Sequence, residues 1–504
     1  MNNLRDAFAW VEHMLAICQR FWGETICEAI ADKLATITIS TCFSGVGNAE
    51  TALEAITRGV QHFHSGPSTL PANRWACEWY DESRCELVML THAPEHLFSD
   101  VTDFLTVRHR EALKRWAPMM SYEALAGLFR EGSLVSDVAP CVRCGKWCQA
   151  SSCNVHVAGT PCPAWSAMGT RKYASGPTAL PFLVWVFMRR MLQECFILHE
   201  NVVGFAHEIL IELLGDLYLV QSLVINSACL GQYAERPRRY TVLMHRRLFL
   251  QQLAGPLINW DEQFVHKFWR TLEATSWREL FTIGSEDEIK AELRWAAARP
   301  DSFARSAPVD LDDPSVQFER VLIPNELRRL ERYIEMGPVG VCSLQQDPDT
   351  RISCNHNRAT VHCMIKKNFP TFSVEHHRWM TPLETIATNT VVVNASLSVF
   401  GETSSWMRTR ESFGLPARKR HAMFEQVGDG MSLPCVGLPM LWFLIQPWKS
   451  CAIIVLGSSP LLAALADAMA RRPRPPPSPR VASEGDEEAG HRRLRRRTGD
   501  SSDL

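Results

Sequence analysis

Apolar residues recur at threes and fours near the start of the chain, at Phe8, Val11, Met14, Leu15 and Cys18, the spacing of a helix with one buried face. The period then changes. Residues 35–43 read Ala-Thr-Ile-Thr-Ile-Ser-Thr-Cys-Phe, a short, β-branched, alternating run that predicts a strand. Ser44-Gly45-Val46-Gly47 follows directly, and after it an alanine-rich helical stretch over 49–56. The alternation repeats with a strand-like run at 75–79 before a helix at 81–90, and another run at 155–158. A helix at 182–192 then precedes the apolar run 195–198, and a last strand-like run lies at 240–243. Strands alternating with helices predict an α/β fold with a largely parallel sheet.

Between about 246 and 377 this alternation fades into helical stretches at 286–297 and 325–336, joined by Pro- and Asp-rich connections such as 308–314. That change predicts a separate lobe. Apolar alternation returns at 390–400. The chain thus divides into an N-terminal helical segment (1–34), an α/β block (35–245), the lobe (246–377), a returning segment (378–450) and a final stretch (451–504). Residues 471–504 are Pro/Arg-rich, then of mixed charge, with almost nothing to bury, and are expected to be disordered.

Composition narrows the class. With 504 residues, 46% hydrophobic and 21% charged, the chain is neither disordered throughout nor collagen-like. A formal net charge of −2 excludes a uniformly basic nucleic-acid coat, so any nucleic acid must meet a local basic face. The 17 cysteines fall below the density of a disulfide scaffold. Residues 1–22 carry Arg5, Asp6, Glu12, His13 and Arg20 among their apolar positions, so no clean hydrophobic signal region is read there. A reducing cytosol or nucleus is the expectation, with thiols free, metal-bound or catalytic. The apolar run 451–470 is broken by Gly457, Ser458, Ser459 and Pro460 and carries Asp467, too interrupted for a membrane span.

The chemistry-bearing residues stand where strands end. Phe43-Ser44-Gly45-Val46-Gly47 closes one strand and opens a helix; its glycines let backbone approach a ligand, and the helix N-terminus offers unpaired amides. Alone, such a turn is as often a plain tight connection. The next strand ends in Glu78-Trp79, where a carboxylate can accept from ribose hydroxyls and an indole can stack on a base. Asp100-Val101 is a third such stop, with Asp100 available to an adenine amino group. Each has a plain reading as a strand cap, but three in order favour a nucleoside-type cofactor. Gly159-Thr160-Pro161-Cys162 puts a thiol in the loop after a strand, where a lowered pKa would make it a nucleophile rather than a buried small hydrophobe. Glu200, at the next strand end, can face the same substrate, because carboxyl ends of neighbouring parallel strands converge. Arg236 and Arg238 can orient a carboxylate or hold a phosphate.

In order along the chain, these motifs resemble those of the cytosine-5 DNA methyltransferases that use S-adenosylmethionine. The matching residues are Phe43 to Gly47, Glu78-Trp79, Asp100-Val101, Gly159 to Cys162, Glu200-Asn201-Val202, Arg236-Pro237-Arg238, Arg378-Trp379-Met380-Thr381-Pro382-Leu383-Glu384 and Gln426-Val427-Gly428-Asp429-Gly430-Met431. The resemblance covers about residues 35 to 445. It implies a Rossmann-like class I methyltransferase sheet, completed by 378–450, with a smaller target-recognition lobe at 246–377 and a disordered C-terminal tail. It also implies that Cys162 adds to carbon 6 of a flipped cytosine, so that carbon 5 can attack a sulfonium methyl, with protonated Glu200 near ring N3. Arg238, with Arg236, would position Glu200 and the base, and Asn201 would brace the loops. Cofactor contacts would fall to Phe43, Gly45, Gly47, Glu78, Trp79, Asp100, Val101, Asp429, Gly430 and Met431, the last motif folding back beside the glycine turn. DNA is the implied partner and the nucleus the implied location, with no membrane. The tRNA-methylating branch shares most of these motifs, but its usual Cys-Phe-Thr signature is not evident here. A catalytically silent nucleic-acid-binding scaffold is the alternative from another class.

The chain departs from the pattern in several places. Thr41 stands where the family usually has an acidic residue, so one contact to the methionine part is lost or supplied elsewhere. Ala234 stands for a glutamine, Asp429 for an asparagine, and Arg239 competes with Arg238 for register. The stretch from Asp100 to Cys162 is longer than in compact members. Its insert, about 104–153, carries Cys141, Cys144, Cys148 and Cys153, thiols that can form a tetrahedral zinc site or coincide in a cysteine-rich chain. Cys354, His356, His362 and Cys363 make a looser cluster, read by default as a surface loop. Arg408, Arg410, Arg418, Lys419 and Arg420, and separately Arg328, Arg329 and Arg332, can contact phosphates or lie on solvated faces. The arginine-rich run at 492–497 reads as an import signal or a nucleic-acid tether.

Overall fold

The computed structural model describes residues 3–64, 69–162, 165, 176–270, 277–300, 302, 309–312, 318–350, 352–355, 360–362, 371–393, 395–400, 423–424, 426–428 and 430–448. Helices α1 (Trp10–Trp22) and α2 (Ile26–Leu34) occupy the N-terminal segment and bury the face that holds Val11, Met14, Leu15 and Cys18. The predicted strand at 35–43 is shorter, β1 (Thr38–Cys42), because the α2 cap holds Ala35 in helical backbone. Helix α3 (Asn48–Phe63) runs well past the alanine-rich stretch. Then come β2 (Ala72–Cys77), β3 (His96–Phe98), β4 (Val138–Cys141), β5 (Lys146–Gln149) and β6 (Val155–Gly159). Helix α4 (Ala179–Leu192) leads into β7 (Phe196–Val202), β8 (Tyr218–Asn226) and β9 (Pro237–His245).

These strands make one sheet in the order β5-β4-β3-β2-β1-β6-β7-β9-β8. Strands β3, β2, β1, β6 and β7 are mutually parallel, while β4, β5, β8 and β9 are joined antiparallel at the two flanks. This is the α/β, Rossmann-like sheet expected from the sequence. From β1 the chain winds outward through β2 and β3, then crosses back to β6 on the other side of β1. Such a reversal opens a crevice beyond the carboxyl ends of the two central strands, here β1 and β6.

The insert at 104–153 contains helices Val107–Trp116 and Tyr122–Glu131 and then the β4–β5 hairpin at the sheet flank. A small sheet of β10 (Val341–Cys342), β11 (Phe372–Ser373) and β12 (Arg378–Trp379), packed with Phe318, Tyr333 and Trp379, joins the lobe to the first residues of the returning segment, so the lobe's core extends past the expected boundary at 377. Its helix Glu286–Ala297 has the predicted bounds, fixed by a capping box between Ser285 and Glu288. The earlier part of the predicted lobe behaves differently, since Trp260, Phe264 and Trp277 join the core under the main sheet. The alternating run at 390–400 forms no strand among the described residues. Thr390 adopts a φ of 64°, and Val391, Val392 and Val393 pack as irregular buried chain.

The last described helix, α5 (Leu433–Ile445), is buried at all 13 positions and packs on α1, α2 and α3. The stretch Gln426–Ile445 is long and apolar enough to cross a membrane, but 94% of its apolar window lies inside the protein. Lys33 Nζ donates to the carbonyls of Leu444 and Gln446, each at 2.6 Å, placing a cation at the carbonyl end of α5. Gly437 is what admits Trp10: a Cβ there would lie 2.5 Å from the indole ring. Gly437→Ala should therefore destabilise the protein by roughly 1–3 kcal/mol through overpacking. Denaturant unfolding checks this, and an unchanged midpoint would show that α1 can shift away from α5.

Candidate active site

The turn after β1 is built from left-handed backbone, with φ of 53° at Phe43, 55° at Gly45 and 81° at Gly47. A Cβ at Gly47 would meet Leu90 at 2.6 Å, whereas one at Gly45 would meet nothing within 4 Å. The turn is thus packed behind and open in front. Glu78, at the end of β2, braces it: Oε2 accepts from the Gly45 N–H at 2.8 Å and Oε1 from the Tyr80 N–H at 2.9 Å. Trp79 stands beyond it, 65% exposed. Asp100 accepts from the Thr102 N–H (2.8 Å) and hydroxyl (2.6 Å) and from Lys114 Nζ (3.2 Å), and Val101 is buried beside it. Asp100 is therefore a cap as well as a candidate adenine contact.

The returning motif does fold beside this turn. Asn48 Nδ2, at the start of α3, donates to the Met431 carbonyl at 2.6 Å, and Asn389 Nδ2 donates to that of Val427 at 3.1 Å. Gly430 is buried between Asn48 and Asn389, and Asp429 lies outside the described residues. Gly159, the last residue of β6, is the meeting point. A Cβ there would sit 2.7 Å from Met431 Cε, 3.3 Å from Glu200 Oε2 and 3.9 Å from the Phe43 carbonyl.

Cys162 follows Gly159 by one loop turn and is partly exposed. Gly159 pairs directly with Glu200 in the parallel register of β6 and β7. Asn201 ties the two strand ends together, its Nδ2 donating to the Thr160 hydroxyl at 2.9 Å and carbonyl at 3.1 Å. The same hydroxyl lies 2.7 Å from His199 Nε2, and burial pulls that imidazole down to about 3, so the ring is neutral. Arg238 Nε stands 3.3 Å from Glu200 Oε1. Arg239 turns elsewhere, donating to the Val203 carbonyl at 3.3 Å and the Ser222 hydroxyl at 3.3 Å, so Arg238 holds the register beside Glu200. Arg236 instead sends Nη2 to the Gly428 carbonyl at 2.8 Å. It precedes β9, where its own N–H is fixed by Asn226 Oδ1 at 3.0 Å, and it binds the returning segment.

Sequence reasoning missed two residues. The Thr41 hydroxyl donates to Glu50 Oε1 at 2.6 Å and lies 2.6 Å from Ser44 Oγ. A carboxylate thus reaches the end of β1 from the first turn of α3. Glu50 is fully buried, which pushes its carboxyl up to about 7. The other missed residue is His96 of β3, which gathers with Cys141, Cys144 and Cys148. Cys153 is a correction to the expected set of four thiols: the chain has already turned toward β6, and its buried thiol contacts the Ser151 carbonyl at 3.6 Å.

Elsewhere, Arg378 and Glu384 form a buried bidentate pair at 2.8 Å for both contacts, closing the capping box of helix Pro382–Ala387. Of the helix arginines, Arg329 donates to the Leu344 carbonyl and Arg332 pairs with Asp349 and Glu335. Cys354 pairs with Cys342 through a backbone β-bridge and the His362 ring meets the Thr371 hydroxyl, while His356, Cys363, the basic residues between 408 and 420, and the chain from 449 onward lie outside the described residues.

No protein-family description and no curated protein matches the chain. Among solved structures it is similar to a DNA modification methyltransferase encoded within an E. coli prophage, at 14% identity and a TM-score of 0.41, over 81% of this chain and 98% of that one. It is similar to the S. pombe Dnmt2 methyltransferase at 11% identity and a TM-score of 0.41, again over 81% and 98%. The Entamoeba histolytica methyltransferase EhMeth gives 12% identity and a TM-score of 0.39 over 81% and 98%. What the chain does is therefore read from its own side chains.

Glu50 gives a pH signature. Its folded carboxyl sits at about 7 against an ordinary 4.5, so between those values the folded protein holds a proton that the unfolded chain releases. Stability from this group is complete below about pH 4.5 and is lost as pH rises to about 7. Glu50→Gln keeps the Thr41 hydrogen bond but cannot ionise. Its stability relative to wild type should rise between pH 4.5 and 8, by on the order of 2 kcal/mol. Parallel melting-temperature profiles across that range would contradict it.

Proposed function

We propose that the protein transfers a methyl group from S-adenosylmethionine to carbon 5 of cytosine in DNA. The observation that carries this reading is the pairing of Gly159 with Glu200, which sets the Cys162 loop and a carboxylate held by Arg238 on one rim. S-adenosylmethionine, when bound, supplies an electrophilic methyl group on a sulfonium. The residues that suit it are the open-fronted turn at Phe43, Gly45 and Gly47, the Glu78 carboxylate behind that turn, exposed Trp79, Asp100 with Val101, and the apolar end of Met431 against Gly159. Asp429 and Gly430 of the returning motif complete the proposed set.

On the nucleobase side, the Cys162 thiolate adds to carbon 6, and the ring electrons move toward carbon 5. Glu200 carries a proton on Oε2 toward ring N3 and offsets the charge that develops there, while Arg238 holds Oε1. Asn201 keeps the Cys162 loop from drifting by its two bonds to Thr160. Carbon 5 would then take the methyl group as its bond to the sulfonium sulfur breaks, leaving a neutral thioether; the carbon-5 proton passes to a base, the ring double bond returns, and Cys162 is expelled as thiolate. A cytosine in a duplex reaches this rim only if flipped out of the stack. Arg236 acts at a distance, by holding Gly428 and with it the segment behind Met431. The nuclear location stays a proposal that rests on the arginine run at 492–497.

Transfer of tritiated methyl groups to DNA and to tRNA, measured side by side, tests the reading. DNA should be labelled, Cys162→Ala should abolish labelling, and Glu200→Gln should lower kcat by about 10²–10⁴. Labelling of tRNA alone would move the substrate to RNA. Labelling of neither, by folded protein that binds the cofactor, would leave the scaffold reading. DNA carrying 5-fluorocytosine should trap a covalent adduct with wild type, and an adduct persisting in Cys162→Ala would refute the role of that thiol.

A further inference from the structure

We infer that His96, Cys141, Cys144 and Cys148 bind a structural zinc ion that fastens the β4–β5 hairpin to β3. The one nitrogen and three sulfur ligand atoms all lie within 4.8 Å of one another. His96 Nδ1 is 3.4 Å from Cys144 Sγ and 3.9 Å from Cys141 Sγ. Tetrahedral zinc, with Zn–S near 2.3 Å and Zn–N near 2.0–2.1 Å, requires ligand-to-ligand distances of roughly 3.5–3.8 Å. The site is therefore assembled to within a small adjustment. All three cysteines are free thiols.

The backbone is shaped for the purpose. Cys141 ends β4 opposite Lys146, Cys148 lies in β5 opposite Ala139, and the turn between the strands carries Cys144. In that turn the Cys144 N–H donates to Cys141 Sγ at 3.4 Å and the Gly145 N–H to the Cys141 carbonyl at 2.9 Å. Gly145 has a φ of 66°, which a glycine adopts without strain. An amide aimed at a sulfur stabilises a thiolate, the form that binds metal. His96 comes from the neighbouring strand, whose Leu97 carbonyl accepts from the Val142 N–H at 2.7 Å.

The hairpin also needs a fastening. Lys146, Trp147 and Gln149 of β5 are exposed, so only Cys148 of that strand is buried. A two-stranded flank with so little apolar burial is marginal. Four protein ligands leave no open position, which marks a structural rather than a catalytic ion. His96 opens the strand that leads to Asp100, so the metal would also steady that end of the crevice. The inference rests on this cluster alone and stands whether or not the proposed methyl transfer is correct.

Elemental analysis of the full chain, purified with reductant, tests it. About one zinc per chain is expected, falling to below about one tenth in Cys144→Ser and His96→Asn, while Cys153→Ser retains the ion. Replacing zinc by Co²⁺ in wild type should give thiolate-to-cobalt absorption in the near ultraviolet and tetrahedral bands in the visible. Chelation of wild type should speed amide exchange in residues 138–149 by about tenfold or more, a readout that needs no variant. Metal-free protein with titratable thiols and no Co²⁺ spectrum would overturn the inference. So would zinc lost in Cys153→Ser but kept in His96→Asn.

Discussion

Everything at the rim depends on three strands lying parallel and in register. β1 and β6 pair side by side, β6 and β7 likewise, and the residue facing Glu200 across the last pair is a glycine. Hydrogen bonding fixes how far each strand end projects, and a slip of one residue would turn every side chain to the other face. Gly159 must then be small, because Met431 and Glu200 crowd the volume a Cβ would take. The Cys162 loop, the carboxylate and the glycine turn are neighbours because backbone ladders make them so.

A second layer of constraint is polar and buried. Asn48 holds Met431, Asn389 holds Val427, Arg236 holds Gly428 and Lys33 holds the end of α5. Each of these donors is buried, and a buried donor that loses its acceptor costs more than the bond itself contributes. The returning segment is thereby specified in position, whereas apolar packing of α5 alone, hydrophobic on every side, would leave its rotation loosely defined. Burial also pulls Lys33 down to about 8, the cost of placing an ammonium where two carbonyls need it.

Much of this was legible in the sequence, and the limits have physical causes. The helix at 286–297 has the predicted bounds because Ser285 and Glu288 form a local signal that needs no tertiary partner. The apolar alternation at 390–400 yields no strand among the described residues, because alternation records burial, and burial there comes from irregular chain in the main core. Strand β3 is three residues long and carries no period to detect. The motifs that hold Cys162, Glu200 and the glycine turn fall at neighbouring strand ends, but only the fold places Arg238 beside Glu200, Arg236 on Gly428 and Arg239 on Val203. His96 was missed because only strand pairing brings it to Cys141 from a distant stretch of chain. Glu50 was missed because one acidic residue in a first helical turn looks like a dipole partner, and nothing in the sequence aims it at Thr41.

The bond from Asn48 to Met431 joins residues 383 positions apart. A chain made from its N-terminus gains the glycine turn early but cannot close it until α5 has left the ribosome. At roughly 5–20 residues per second, that interval lasts tens of seconds. Meanwhile the apolar faces of α1, α2 and α3 that will meet α5 have no native cover. Assembly of the crevice thus waits for the returning segment, and chains that stop short of Met431 lack the residue that closes the turn.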